Sequence, residues 1–205
     1  MTSIYSQQPC IIRENARGYE RIQIEDELMQ NREIFLTDPV SPDTMNSLLK
    51  QLMFLNRDDP AKEIILYINS PGGEVQSGIA VFDYMKLMSA PLTTVCIGTA
   101  ASMGAILFLA GSRRIMTRHS RIMIHDPAPG GGSLEGMKPA EIEKRLENLK
   151  QTRDVICGII AEAAGRTLEE VMSVTCEDSW FDAEEALQYG LATEIMGSQK
   201  GAGQI

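Results

Sequence analysis

From about residue 34 onward the apolar positions change rhythm several times, and each change marks an element. The short run at Ile34–Leu36 predicts a strand. Met45, Leu48, Leu49 and Leu52 then recur at helical steps, with Ser41 as N-cap and Pro42 at the first helical position. The RDDP that follows ends this helix. EIILYINSPGG is an unbroken apolar strand running into a glycine-rich turn, and its lack of polar alternation predicts burial on both faces of a helix-sandwiched sheet. A helix from about Val75 to Met88, the strand TTVCIG, a helix from about Ser102 to Leu109 and the strand RIMIH continue the series. Strand and helix alternating in this way predict an α/β fold with parallel crossovers.

The second half opens on PAPGGGSLEG, a loop by composition. A long helix follows over Pro139–Ala164, its apolar stripe carried by Ile142, Leu146, Leu149, Ile156, Ile160 and Ala163. Thr167 and Glu170 have the spacing of a capping box for a further helix, and DAEEA reads as another helix start at Asp182. No repeat or linker divides the 205 residues, a length that fits one domain. The expected organisation is a flexible arm over 1–20, a single domain over 21–196 and a disordered tail over 197–205.

The net charge of −9 argues against nucleic acid as a partner, since phosphate binding needs clustered Lys and Arg. No apolar run reaches the roughly 18 residues of a membrane span, and the first residues lack the pattern of a secretory signal. Cys10, Cys96, Cys157 and Cys176 lie far apart without a CxxC pair, so the sequence calls for no metal and no cofactor. Isolated thiols fit a reducing compartment, and a cytoplasmic location is expected.

The chemistry gathers in three segments. GTAASMGAILFLAG places Ser102 among small residues where a strand gives way to a helix, a turn that exposes the hydroxyl beside free backbone N–H groups. AASMG alone is equally compatible with tight helix–strand packing. NSPGG ends the preceding strand in the same direction, so both turns fall at one edge of the sheet, where ligands of open α/β sheets collect. The N–H groups of Gly73 and Met103 could there form an oxyanion hole.

The chain has two histidines. His119 lies in the polar turn TRHS, whereas His125 ends the strand RIMIH and is the candidate base for Ser102. Such a base needs a carboxylate to orient it. Asp126 is adjacent to His125 but alternation turns it to the other face. Asp178, in TCEDSWFDAEEA, is the candidate, with Asp182 as the fallback.

Taken together, FLNRDDPAKEIILYINSPGG, TAASMGAILFLAG, RIMIHDP and DAEEALQYGLATEI resemble the ClpP family, the proteolytic subunits of the Clp protease, over about Arg17–Met196. The resemblance implies the ClpP/crotonase-like fold, repeated ββα-type units with a protruding handle over about 128–164. It implies Ser102 as nucleophile, His125 as base, Asp178 as orienting acid, and Gly73 and Met103 as oxyanion donors. It further implies a serine endopeptidase built from stacked heptamers of this chain, hydrolysing unfolded polypeptides supplied by a Clp-type AAA+ ATPase. That unfoldase would dock in a cleft to which Ile65, Tyr67, Leu87, Val95 and Ile97 correspond; plain core packing is the other reading of these five.

The sequence departs from the family pattern in places. His-Asp-Pro stands where His-Gln-Pro is usual, PAPGGGSLEGMKP is longer, and Cys176 and Glu177 replace an acidic–basic pair linked to ring stacking. These departures keep open a catalytically silent or paralogue-dependent subunit of a mixed ring. A crotonase-like acyl-CoA enzyme is the rival on the chemical side.

Overall fold

A computed structural model describes residues 10–16, 18–128 and 136–197. The chain begins with an antiparallel pair, β1 (Cys10–Asn15) and β2 (Gly18–Gln23), followed by α1 (Ile24–Gln30). The stretch expected as an arm without periodicity thus carries a hairpin from residue 10 onward. All the described side chains of β2 except Ile22 are exposed, so neither strand shows the alternation of a half-buried strand.

The α/β core then runs β3 (Glu33–Leu36), α2 (Pro42–Asp58), β4 (Ile64–Ser70), α3 (Val75–Leu87), β5 (Leu92–Ala101), α4 (Met103–Leu109), β6 (Arg113–Met116) and β7 (Arg121–Ile124). α5 (Pro139–Ala164), α6 (Leu168–Thr175), β8 (Ser179–Phe181), α7 (Ala183–Tyr189) and β9 (Glu194–Ile195) complete it. The caps follow the sequence. Ser41 accepts from the Thr44 N–H, Thr167 from the Glu170 N–H, and Asp182 from the N–H groups of Glu184 and Glu185. Each such cap contributes about 1 kcal/mol. Asp182 is therefore engaged at its own helix end and does not serve as the histidine's partner.

The sheet has the order β3-β4-β5-β6-β9, all parallel. β5 is the pivot. Its first half pairs with β6 through Thr93–Cys96, and its end pairs with β7 through Thr99–Ala101. β8 then adds to β7 antiparallel, with Ile124 opposite Ser179. β6 escaped the sequence reading because RRIM shows no apolar rhythm. Its two arginines instead make directed bonds, Arg113 to the Glu194 carboxylate and Arg114 to the carbonyls of Leu191, Ala163 and Gly190.

Ile64, Leu66 and Ile68 of β4 pack into the core with Met45, Leu48 and Leu52 of α2 and with the fully buried α4. Burying one such side chain contributes about 1.5–3 kcal/mol. The other face of β4 is covered less than its apolar run predicts. Ile65 and Tyr67 are half-buried and Asn69 is exposed, so helices do not sandwich this strand within the single chain. α5 is also split. Ile156, Cys157 and Ile160 are buried, whereas Leu146 near its start is 50% exposed. Its stripe is thus buried towards the C-terminal half and open near the start among the described residues. Among the described residues no helix is long and apolar enough to cross a membrane.

Candidate active site

β4 and β5 run parallel, so their C-terminal ends lie together, and the turns that leave them meet. A Cβ placed on Gly72 would lie 2.5 Å from the Ala101 carbonyl oxygen, 2.7 Å from Ser102 Cβ and 2.9 Å from Met103 N. Only glycine fits there, and its φ of +87° also favours glycine. Gly72→Ala is expected to push the two turns apart by on the order of 1 Å and lower turnover by about 10²-fold. Steady-state peptide hydrolysis by the variant checks this.

Ser102 sits between β5 and α4 with φ 53° and ψ −123°, a strained backbone for a residue with a side chain. The strain holds the hydroxyl clear of both elements, as a nucleophile elbow does. Its own N–H donates to the Met123 carbonyl at 2.9 Å, which ties the elbow to β7. His125 follows β7 directly, and its Nε2 lies 2.9 Å from Ser102 Oγ. Asp178 precedes β8, the antiparallel partner of β7, and its Oδ1 lies 2.9 Å from His125 Nδ1. The expected Ser102, His125 and Asp178 are thus one hydrogen-bonded relay. His119, by contrast, is exposed on the turn between β6 and β7.

Two backbone donors complete the arrangement. Val40 bridges Gly73 in parallel fashion: the Val40 N–H donates to Gly72 O and the Glu74 N–H to Val40 O. That pattern turns Gly73's own N–H away from Val40. Met103 is the first residue of α4, so its N–H has no intrahelical acceptor. Among the described residues neither N–H has a hydrogen-bond partner.

A narrow apolar pocket of about 20 Å³ opens beside Ser102 and His125, walled by Ile106, Ile124, Ile156 and Ile160. An open cleft of about 540 Å³ runs on between Gly73–Gln76 and the Asn148, Leu149 and Thr152 face of α5. At its edge Glu74 caps α3. Bonds from the Ser77 side chain and N–H, and from the Gln76 N–H, hold its carboxyl below the ordinary range. Among the described residues no group of three or more His, Cys, Asp or Glu side chains converges to hold a metal ion.

A strained serine, a histidine bonded to it, a carboxylate behind the histidine and two free N–H groups make up the equipment of acyl transfer through a covalent intermediate. Comparison with known proteins agrees. The sequence profile described as Clp protease matches residues 16–199. The chain belongs to the Clp protease family. It is 37% identical over 194 residues to the ATP-dependent Clp protease proteolytic subunit of Streptococcus suis, covering 94% of this chain and 98% of that one. It is likewise 37% identical over 190 residues to the Streptococcus pneumoniae protein of the same name, covering 92% and 96%. As a Clp protease family member the chain is a serine peptidase subunit with the family's mixed α/β fold.

The five residues matched to the docking cleft are not equivalent. Ile65, Tyr67, Val95 and Ile97 share one sheet face, open only in part, with Tyr67 in register with Val95. Val95 is fully buried, flanked by Tyr67 and Ile115, and offers no surface of its own. Leu87 is on α3 rather than on this face and is 82% exposed. Phe35, not singled out by the sequence, stacks on Tyr67 with ring centroids 4.9 Å apart and widens the face. Its place in a short strand next to the run IILYI was the available signal.

Proposed function

We propose that this chain hydrolyses peptide bonds of unfolded proteins, with Ser102 as nucleophile, inside a chamber formed by stacked rings of its own copies. The observation that carries the reading is the relay of two 2.9 Å contacts through His125, joined to a strained Ser102. His125 Nε2 takes the Ser102 proton as Oγ attacks the scissile carbonyl carbon. The N–H groups of Gly73 and Met103 receive the developing oxyanion, each such donor being worth about 10²–10³ in rate. Collapse expels the amine, which takes the proton from His125, and water then cleaves the acyl-enzyme by the same route. Asp178 keeps the Nδ1 proton in place and stabilises the imidazolium.

The relatives are named ATP-dependent, and ATP dependence requires an ATPase. A Clp-type AAA+ unfoldase is the proposed partner, docking on the face of Phe35, Ile65, Tyr67 and Ile97. Ring assembly is supported by the apolar positions left uncovered, Leu146 on α5 among them. A connected relay favours the peptidase over a silent subunit, and an acyl-CoA enzyme would have no use for it.

A fluorophosphonate probe should label wild-type protein once per chain, read by intact mass, while native mass spectrometry reports stacked heptamers. Assembled rings that take up no label would sink this reading in favour of the silent subunit.

A further inference from the structure

The carboxylate behind His125 is poorly secured by its own contacts. Asp178 is 68% exposed, and Cys176 and Glu177 before it are exposed as well. A hydrogen bond this exposed competes with water and holds its partners weakly. Among the described residues the Asp178 side chain has only His125 as a partner. Its position must therefore come from the backbone on either side. On the C-terminal side the ladder of β8 against β7 supplies this, and the Ser179 hydroxyl adds a bond to the Val174 carbonyl at 2.7 Å.

On the N-terminal side the anchor is Asp126. Its N–H donates to the Thr175 carbonyl at 2.6 Å, and its Oδ1 accepts from the Thr175 hydroxyl at 2.7 Å. Thr175 ends α6 and is fully buried, so losing that acceptor leaves a buried hydroxyl with only the weak acceptor Cys157 Sγ beside it. Cys157 Sγ of α5 lies 3.5 Å from the same hydroxyl and completes a chain from α5 through α6 to β7. One residue after the base is thus clamped to a residue three before the acid.

We propose that Asp126 is a positioning residue: through Thr175 it fixes the segment that carries Asp178 against His125. The inference rests on the peptidase reading above. It also gives a role to the aspartate of His-Asp-Pro, which faces away from Ser102 and takes no part in the relay.

The experiment measures kcat and KM on a short fluorogenic peptide, with the rate and end point of fluorophosphonate labelling, for five variants of the assembled protein. Thr175→Val and Asp126→Ala remove one side of the clamp each, and should lower kcat and labelling rate by roughly 10- to 10²-fold at nearly constant KM. Labelling should still reach one per chain. Asp126→Asn and Thr175→Ser keep acceptor and donor, and should stay within about threefold of wild type. Asp126→Ala combined with Thr175→Val should be no worse than either alone, since both break one contact. An unchanged kcat in Thr175→Val overturns the proposal. So does a labelling end point that falls in step with kcat, which would mean lost folding. Asp126→Asn as poor as Asp126→Ala would replace the clamp with an effect of charge. Ser102→Ala run in parallel separates the readings: turnover retained there overturns the peptidase assignment itself, whatever Asp126 does.

Discussion

Ser102→Ala is expected to lower peptide hydrolysis by about 10⁶-fold while leaving the fold intact. The size follows from what the oxygen does. No other side chain reaches His125 Nε2 among the described residues, so without Oγ the relay has nothing to activate. The residual rate would come from substrate binding and from the two N–H groups acting on a water. Stability should change little. The Ser102 side chain makes no capping bond to α4, and among the described residues its one hydrogen bond is to His125, worth about 1 kcal/mol. His125→Ala should cost as much, and the double variant no more than either, because the two act as a unit. Steady-state hydrolysis with a melting curve for each variant checks this. Turnover in Ser102→Ala above about 1% of wild type would remove the nucleophile from the mechanism.

How far the sequence reached depended on how local each determinant is. Ser102 and His125 were legible because each ends a strand with a clear apolar run, and parallel neighbours bring such ends together. The N-cap of α7 was legible for the same reason and counted against Asp182, the fallback for the acid, whose carboxylate indeed accepts from the N–H groups of Glu184 and Glu185. Asp178 is 53 residues from His125, and they meet through a three-residue strand, β8, too short for a periodic signal. The family resemblance identified it where spacing left two candidates. The Asp126–Thr175 clamp was out of reach, since nothing in HDP or VTCED announces a contact across 49 residues.

The same logic explains the surface. An unbroken apolar strand such as IILYI states that both faces meet apolar matter, but not whether the second face meets its own chain. In β4 it does not. Phe35, Tyr67, Ile65 and Ile97 stay accessible, and the pattern is explained if subunits or a partner supply the missing layer. The stripe of α5 reads likewise, buried where it crosses α4 and open towards its start. In an assembling protein, then, the apolar rhythm reports the burial of the assembly. The chain alone shows which parts of it are left over.

That exposure also sets how the enzyme should respond at its acid. Asp178→Ala is expected to lower kcat by about 10⁴-fold, because an unrestrained imidazole loses both its orientation and the countercharge of its protonated form. Asp178→Asn should be milder, by roughly 10²-fold, and the reason lies in the surroundings. In a buried triad other donors hold the acid, so an amide there is forced to offer its NH₂ to Nδ1 and fixes the wrong tautomer. Here no second donor among the described residues faces Asp178, and 68% of its side chain is exposed. The amide is free to turn its oxygen to the Nδ1–H, keeping the tautomer in which Nε2 can accept the serine proton. Only the charge is lost. Measured kcat for the two variants decides the matter. Asn ranking clearly above Ala means the carboxylate works chiefly as an acceptor that orients His125. Asn falling to the level of Ala means its charge carries the effect, or that assembly brings a donor to Asp178 and closes the choice.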